Sequence, residues 1–325
     1  MVAAEHNATV TITSLGAQGK TTFATHFPAH LREAHFSMPS VAARLPLYAS
    51  LTRLDKPVGT LLLLWPTLTA LWIAADGAPS LMLIAIFVAG TFLMRSAGCA
   101  VNDAADARFD SHVKRTAERV VARGLVSRRE ALLVAATLAI AAAVLLPLLN
   151  AVAVQLAFIA VLIAATYPLA KRFIPIPQLF LGVAFSFGIP MAFAAVSGTV
   201  PVVGWMLMLG NAFWVIAYDT EYAMVDRDDD LRIGIKSSAI FFGRFDVVAV
   251  MASYVAFLSL MIVVGRSIGA GWPFYSGCAV AASFAIYHFV LIRSRSRDGC
   301  MRAFRHNNWV GAAIFVGTAL DYMLR

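Results

Sequence analysis

The sequence predicts an all-α integral membrane protein that crosses the bilayer nine times, and three observations lead there. Of its 325 residues 60% are hydrophobic and only 14% charged, with a mean hydropathy of +0.76, whereas about a quarter of residues are charged in soluble domains. Several apolar runs approach or exceed the roughly 20 residues needed to span a bilayer as helix. The basic residues between these runs fall on alternate sides.

The runs lie at 57–75, 80–101, 131–149, 152–168, 178–197, 201–224, 246–265, 272–292 and 307–323. Pro57, Pro147, Pro177, Pro201 and Pro273 stand at or near their ends, where proline is tolerated. Pro190 lies inside the fifth run and predicts a kink there. The loops then divide by charge. Arg108, Lys114, Arg115, Arg119, Arg123, Arg128 and Arg129 follow the second run, and Lys171 and Arg172 the fourth. Arg227, Arg232, Lys236 and Arg244 follow the sixth; Arg293, Arg295, Arg297, Arg302 and Arg305 follow the eighth. The intervening loops hold Arg266 alone. By the positive-inside rule the even loops and the N-terminus are cytoplasmic and the C-terminus is outside.

Residues 1–45 form a separate polar extension, read as unstructured, ahead of a membrane domain over 46–325. Met38 is a second plausible start just before that domain. "SLGAQGKTT" (14–22) resembles a phosphate loop only superficially, because Ser14 stands where the spacing needs glycine. The net charge of +8 reads as topology and contact with anionic lipid. No basic and aromatic interleaving points to nucleic acid. Cys99, Cys278 and Cys300 are odd in number and widely spaced, which predicts neither disulfides nor a zinc site. His112 and His288 have no paired ligand and read as packing histidines.

Two segments concentrate the negative charge. "NDAADARFD" (102–110) places Asn102, Asp106 and Asp110 at i, i+4, i+8, with Asp103 three before Asp106. "YDTEYAMVDRDDD" (218–230) places Asp219, Asp226 and Asp230 at i, i+7, i+11. Each set forms one stripe on a helix. Together the segments hold nine of the eighteen acids, at the same predicted membrane surface. Like charges at this spacing repel, and acids near hydrocarbon are costly, so a cation must offset them. Oxygen ligands select Mg²⁺ or Ca²⁺, and Mg²⁺ is typically shared between one or two carboxylates and a substrate's phosphates. In a membrane, a diphosphate with a lipid-soluble tail is a polyprenyl diphosphate. A divalent-cation transporter would also place acids at span ends, but it needs carboxylates deep in several spans.

These motifs resemble those of the UbiA-type intramembrane aromatic prenyltransferases, over about residues 50–325. The family's N-D-x-x-D-x-x-x-D element matches Asn102, Asp103, Asp106 and Asp110; its D-x-x-x-D element matches Asp226 and Asp230; its Y-x-x-x-K element matches Tyr167 and Lys171. "RLDKPVGTLLLLWPTLTALW" (53–72), "IPMAFAAV" (189–196) and "DRDDDLRIGIKS" (226–237) resemble the hydroxybenzoate branch, rather than branches acting on homogentisate, dihydroxynaphthoate or haem. The resemblance implies nine helices around a central cavity in a bacterial inner membrane. It implies Mg²⁺ held by Asn102, Asp106, Asp110, Asp226 and Asp230, and transfer of a prenyl group from polyprenyl diphosphate to C3 of 4-hydroxybenzoate in ubiquinone biosynthesis. It further assigns the acceptor carboxylate to Arg172, and diphosphate contacts to Lys171, Tyr167 and Lys236. Arg53, Lys56, Asp103 and Asp219 would line the substrate site. Two departures stand out: "RTAERVVARG" (115–124) lacks two expected prolines, and Glu221 replaces an expected neutral amide.

Overall fold

The structure is a computed structural model that describes the backbone of residues 11–16, 19–24 and 41–325, with side chains from Arg44 onward except those of residues 167–172. The chain divides into two compact units, Met1–Leu45 and Pro46–Arg325. In the first, β1 (Thr11–Gly16) pairs antiparallel with β2 (Gly19–Ala24), Thr11 opposite Ala24 and Gly16 opposite Gly19. The polar composition had predicted no regular structure there. Short β-branched runs, one ending at Gly16 and the other starting at Gly19, outweigh it locally. The phosphate-loop look-alike falls within this hairpin, with residues 17 and 18 outside the described residues.

The second unit is helical among the described residues. After the short α1 (Val41–Leu51), a turn with Arg53 at φ 61° leads into α2 (Val58–Ala74). Next come α3 (Leu81–Asp110), α4 (Arg128–Ala143) and α5 (Ala151–Phe173). Then α6 (Pro177–Ser186) and α7 (Gly188–Ser197) precede the long α8 (Val202–Ile233). The short α9 (Ser238–Phe242) leads to α10 (Asp246–Ser267), α11 (Trp272–Ile292) and α12 (Arg297–Leu324). Each stretch read as a span is mostly helical, the third ending in a 3-10 turn at Leu146–Leu148. Among the described residues six helical stretches are long and apolar enough to cross a membrane, and α2 and residues 151–166 are shorter apolar helices.

The kink expected from Pro190 is present as a break of the fifth run at Phe187 into α6 and α7, because Pro190 has no N–H to return to the preceding turn. Two differences from the sequence reading have physical causes. Both α3, at 30 residues, and α8, at 32, continue past the apolar runs. At 1.5 Å per residue each is about 45 Å long, against a hydrocarbon core of about 30 Å. Their acidic ends therefore stand clear of the lipid. Finally, α12 begins ten residues before the predicted span, since Ser296 caps it by accepting from Gly299 N–H at 3.2 Å.

Packing concentrates on α11 with α12, α8 with α10, α3 with α4, α6 with α8 and α2 with α12. Trp214, Tyr218, Tyr254, Phe257, Met261 and Phe274 fill the main core. A second cluster joins Ala97, Ala100 and Ala104 of α3 to Ala131 and Ala135 of α4 through Val120, Val121 and Val126 of the loop between them. These three valines anchor the loop that lacks the two expected prolines. Leu133, Ile140, Phe158, Val255 and Ile286 point outward, as lipid-facing residues do. Gly277 on α11 opposes Gly317 on α12; a Cβ there would lie 2.6 Å from the Ala313 carbonyl and 3.0 Å from Gly317 Cα. Gly277→Leu should destabilise the detergent-solubilised protein by about 1–3 kcal/mol, read as a lowered thermal midpoint. Gly98→Ala, with open space at its Cβ, should leave it unmoved; equal midpoints for both would contradict this packing.

Candidate active site

Both acidic stripes run to the C-terminal ends of their helices, where Asp110 and Asp230 meet the negative end of the helix dipole. Repulsion within each stripe is thereby added to an unfavourable dipole, and the chain meets it with arginines. The 111–127 loop supplies two. Arg115 Nε donates to Asp226 Oδ1 and Oδ2 at 3.0 Å, and its Nη2 donates to Oδ2 at 2.6 Å. Arg119 Nη1 lies 2.9 Å from Asp110 Oδ2 and 3.1 Å from Asp103 Oδ1. Arg53, from the turn before α2, grips both Asp103 oxygens at 2.8 and 2.9 Å.

The loop therefore ties the α3 tip to the α8 tip. Arg115 also stacks 4.2 Å above the Tyr222 ring, and Asp110 acts on it as well as Asp226. Burial tends to lower both guanidinium values. Around Arg115 the Tyr222 ring, Asp226 and Asp110 outweigh that tendency, as Asp103 and Asp110 do around Arg119, so both end up raised and stay cationic. Further along α8, Arg297 holds Asp229 at 2.8 and 3.2 Å. Arg227 and Arg295 both reach the fully buried Asp246 at the start of α10, at 3.2 and 2.7 Å.

The motif residues so divide. Asp103, Asp110, Asp226 and Asp230 are buried, while Asn102, Asp106 and Asp219 are half-buried. Asn102, Asp106, Asp219 and Asp230 also engage neighbouring groups. Asp228 is exposed. Lys236 Nζ donates to the Phe173 carbonyl at 3.1 Å, which ties the end of α5 to the loop after α8. The side chains of Tyr167, Lys171 and Arg172 lie outside the described residues, although their backbone belongs to α5.

Sequence reasoning missed the pairing role of Arg115 and Arg119, counting them only as loop charge. It also missed Arg95, two turns before Asn102 on α3. An arginine within a predicted span is itself a signal, since such residues are costly and face the protein interior. Arg95 Nη1 donates to Cys99 Sγ at 2.7 Å, and its guanidinium lies 6.0 Å from the Phe185 ring centre. Its Nε and the hydroxyl of Tyr218 on α8 are buried with no hydrogen-bond partner, and the two side chains interact electrostatically. Two orphaned polar groups among packed apolar helices are poised for a polar ligand group.

Among the described residues no three histidine, cysteine or acidic side chains form a group that would hold a metal unaided. The donors at the two tips are hard oxygens, distributed over α3 and α8. That set fits Mg²⁺ completed by phosphate and water rather than a closed protein cage.

Comparison with known proteins gives the site a setting. A 4-hydroxybenzoate octaprenyltransferase of Cupriavidus metallidurans is 59% identical over 287 residues, 88% of this chain and 98% of that one. One from Methylobacillus flagellatus is 58% identical over 285 residues, covering 87% and 96%. The apo structure of a UbiA homolog from Aeropyrum pernix superposes with a TM-score of 0.69 at 27% identity, over 80% of this chain and 97% of that one. A UbiA homolog from Archaeoglobus fulgidus, bound to GPP and Mg²⁺, shares the fold with a TM-score of 0.65 at 16% identity, over 86% and 100%. The model of the UbiA prenyltransferase family matches residues 63–309, and the chain belongs to that family.

Proposed function

We propose that this chain transfers a polyprenyl group from polyprenyl diphosphate to C3 of 4-hydroxybenzoate, releasing diphosphate, as a membrane step of ubiquinone biosynthesis. The observation that carries it is the joining of two acidic helix tips through Arg115 and Arg119, in a chain so similar to transferases named for that acceptor. The proposal includes nine membrane crossings around a central cavity in a bacterial inner membrane, with the N-terminus and both tips cytoplasmic and the C-terminus outside. The one-sided loop charge supports that orientation.

Asn102, Asp106 and Asp110 on α3, with Asp226 and Asp230 on α8, would hold Mg²⁺. When bound, the metal supplies neutralisation of negative charge on the diphosphate leaving group. The chain's residues do the rest. Arg115 and Arg119 are permanent cations beside the carboxylates and can exchange a carboxylate for a phosphate oxygen, both being partners that suit a guanidinium. Lys171, Tyr167 and Lys236 would contact the diphosphate from the α5 side. Arg53 fixes Asp103 at the mouth, and Asp219 lies two turns inward of Asp226. The apolar walls leave the prenyl tail in a lipid-like medium and keep water from the allylic cation that departure of diphosphate creates. The phenol activates its ortho carbon, C3, toward that cation, and the ring then loses its proton.

The acceptor's carboxylate needs an arginine. Arg172 is one proposed partner, at the end of α5. Arg95 is the better supported on the described geometry, because its Nε is buried and unpaired beside the equally unpaired Tyr218 hydroxyl.

The direct test supplies detergent-purified protein with Mg²⁺, a polyprenyl diphosphate and labelled 4-hydroxybenzoate. Prenylated hydroxybenzoate and free diphosphate should appear together; no labelled product would overturn the reading. Asp106→Ala and Asp226→Ala should each reduce kcat by about a hundredfold or more, with insertion unchanged. Near-full turnover in either would count against a shared metal site. Arg95→Met should raise KM for the aromatic acid roughly tenfold, the loss of one charged hydrogen-bonding partner. Its KM for the prenyl donor should hardly move; the opposite pattern would assign Arg95 to the diphosphate.

A further inference from the structure

One acid near the second motif takes no part in that chemistry. Glu221, five residues before Asp226 on α8, is 0% exposed and hydrogen-bonds to residues of α10 and α12. Its Oε2 accepts from Asn307 Nδ2 at 2.8 Å, and its Oε1 lies 3.1 Å from the Tyr254 hydroxyl. That hydroxyl also lies 2.7 Å from Asn307 Oδ1 and 2.8 Å from His288 Nδ1. His288 Nε2 in turn lies 2.9 Å from Nδ1 of the half-buried His306.

Counting hydrogens fixes the protonation pattern. The orientation of the Asn307 amide is set by two one-way partners. Trp214 Nε1, a donor only, is 2.8 Å from Oδ1, and the Ala303 carbonyl, an acceptor only, is 3.0 Å from Nδ2. Oδ1 can only accept, so Tyr254 must give its single proton to it. The Tyr254 oxygen then offers only lone pairs to Glu221 and His288, and both of those must donate. An ionised Glu221 would set two bare acceptors 3.1 Å apart at a fully buried point, where an unmatched polar contact is most costly. His288 therefore carries a hydrogen on Nδ1.

We infer that Glu221 is kept as a neutral carboxylic acid and is a positioning residue, fastening α8 to α10 and, through Tyr254 and Asn307, to α11 and α12, so that Asp226, paired with Arg115 of the loop after α3, and Asp230 one turn on keep their places. The inference rests on the reading of those two aspartates as metal ligands. The titratable groups facing Glu221 are Tyr254 from α10, His288 from α11 at 3.8 Å, and Cys300 from α12. The lock is whole while the carboxyl keeps its proton and is lost as pH rises and the proton leaves. A glutamine offers the same pattern without titrating: its N–H₂ donates to Tyr254 and its carbonyl accepts from Asn307.

The test compares wild type, Glu221→Gln and Glu221→Leu. Infrared difference spectra between wild type and Glu221→Gln should show the carbonyl stretch of a protonated acid at neutral pH, fading at alkaline pH; carboxylate bands at neutral pH would overturn the inference. Glu221→Gln should turn over within about twofold of wild type at neutral pH and keep that rate at alkaline pH, where wild type falls roughly tenfold and needs more Mg²⁺. Glu221→Leu, which keeps the volume and loses the network, should show the raised Mg²⁺ requirement at every pH. An alkaline loss shared equally by wild type and Glu221→Gln, or an unchanged Mg²⁺ requirement in Glu221→Leu, would overturn the positioning role. The infrared measurement needs no turnover, so failure of the prenyl-transfer reading would leave its answer on Glu221 standing.

Discussion

Holding carboxylates together at the end of a membrane helix is the constraint to which the rest of this molecule answers. Each added acid on one stripe repels its neighbours, sits at the wrong end of a helix dipole and borders a medium that solvates charge poorly. Arginines from three separate segments meet that cost: Arg53 before α2, Arg115 and Arg119 in the loop after α3, and Arg297 opening α12. Because a planar guanidinium engages two oxygens at once, these contacts fix direction as well as charge. A hard dication and a diphosphate present the same opposed charges in a form that can be bound, used and released.

The long helices follow from that constraint. An acidic tip can leave the lipid only if its helix outlasts the hydrocarbon, and α3 and α8 do so, at 30 and 32 residues. The intervening loop cannot then be slack. Val120, Val121 and Val126 bury themselves against α3 and α4, which sets the height from which Arg115 reaches across to Asp226. Beneath the tips the helices are tied by buried polar contacts: Asn211 to Ser186 at 2.8 Å between α8 and α6, and Trp214 to Asn307 at 2.8 Å between α8 and α12. In an apolar surrounding such contacts have no competing water and specify one arrangement.

Much of this was legible in the sequence, since hydropathy and the i, i+4 spacing of Asn102, Asp106 and Asp110 are local properties. The positions of the helices and the stripe of acids followed from them. What escaped was non-local. That Arg115 would choose Asp226, 111 residues away, depends on where a loop without its expected prolines would settle. Glu221 looked like an excess charge because its partners, Tyr254 and Asn307, are 33 and 86 residues distant. His288 read as a packing residue for the same reason. Arg95 was the avoidable omission: an arginine within an apolar run is visible without any structure. The kink from Pro190 was legible, while the early start of α12 was hidden because hydropathy windows register polarity and not capping.

The central claim, that the tips of α3 and α8 converge to share a divalent cation with a diphosphate, is met most directly by anomalous diffraction. Crystals grown with Mn²⁺ in place of Mg²⁺ and a non-hydrolysable prenyl diphosphate should show metal peaks between Asp106 or Asp110 and Asp226 or Asp230, bridged by the diphosphate. Peaks confined to one tip, or a diphosphate bound away from both, would contradict it.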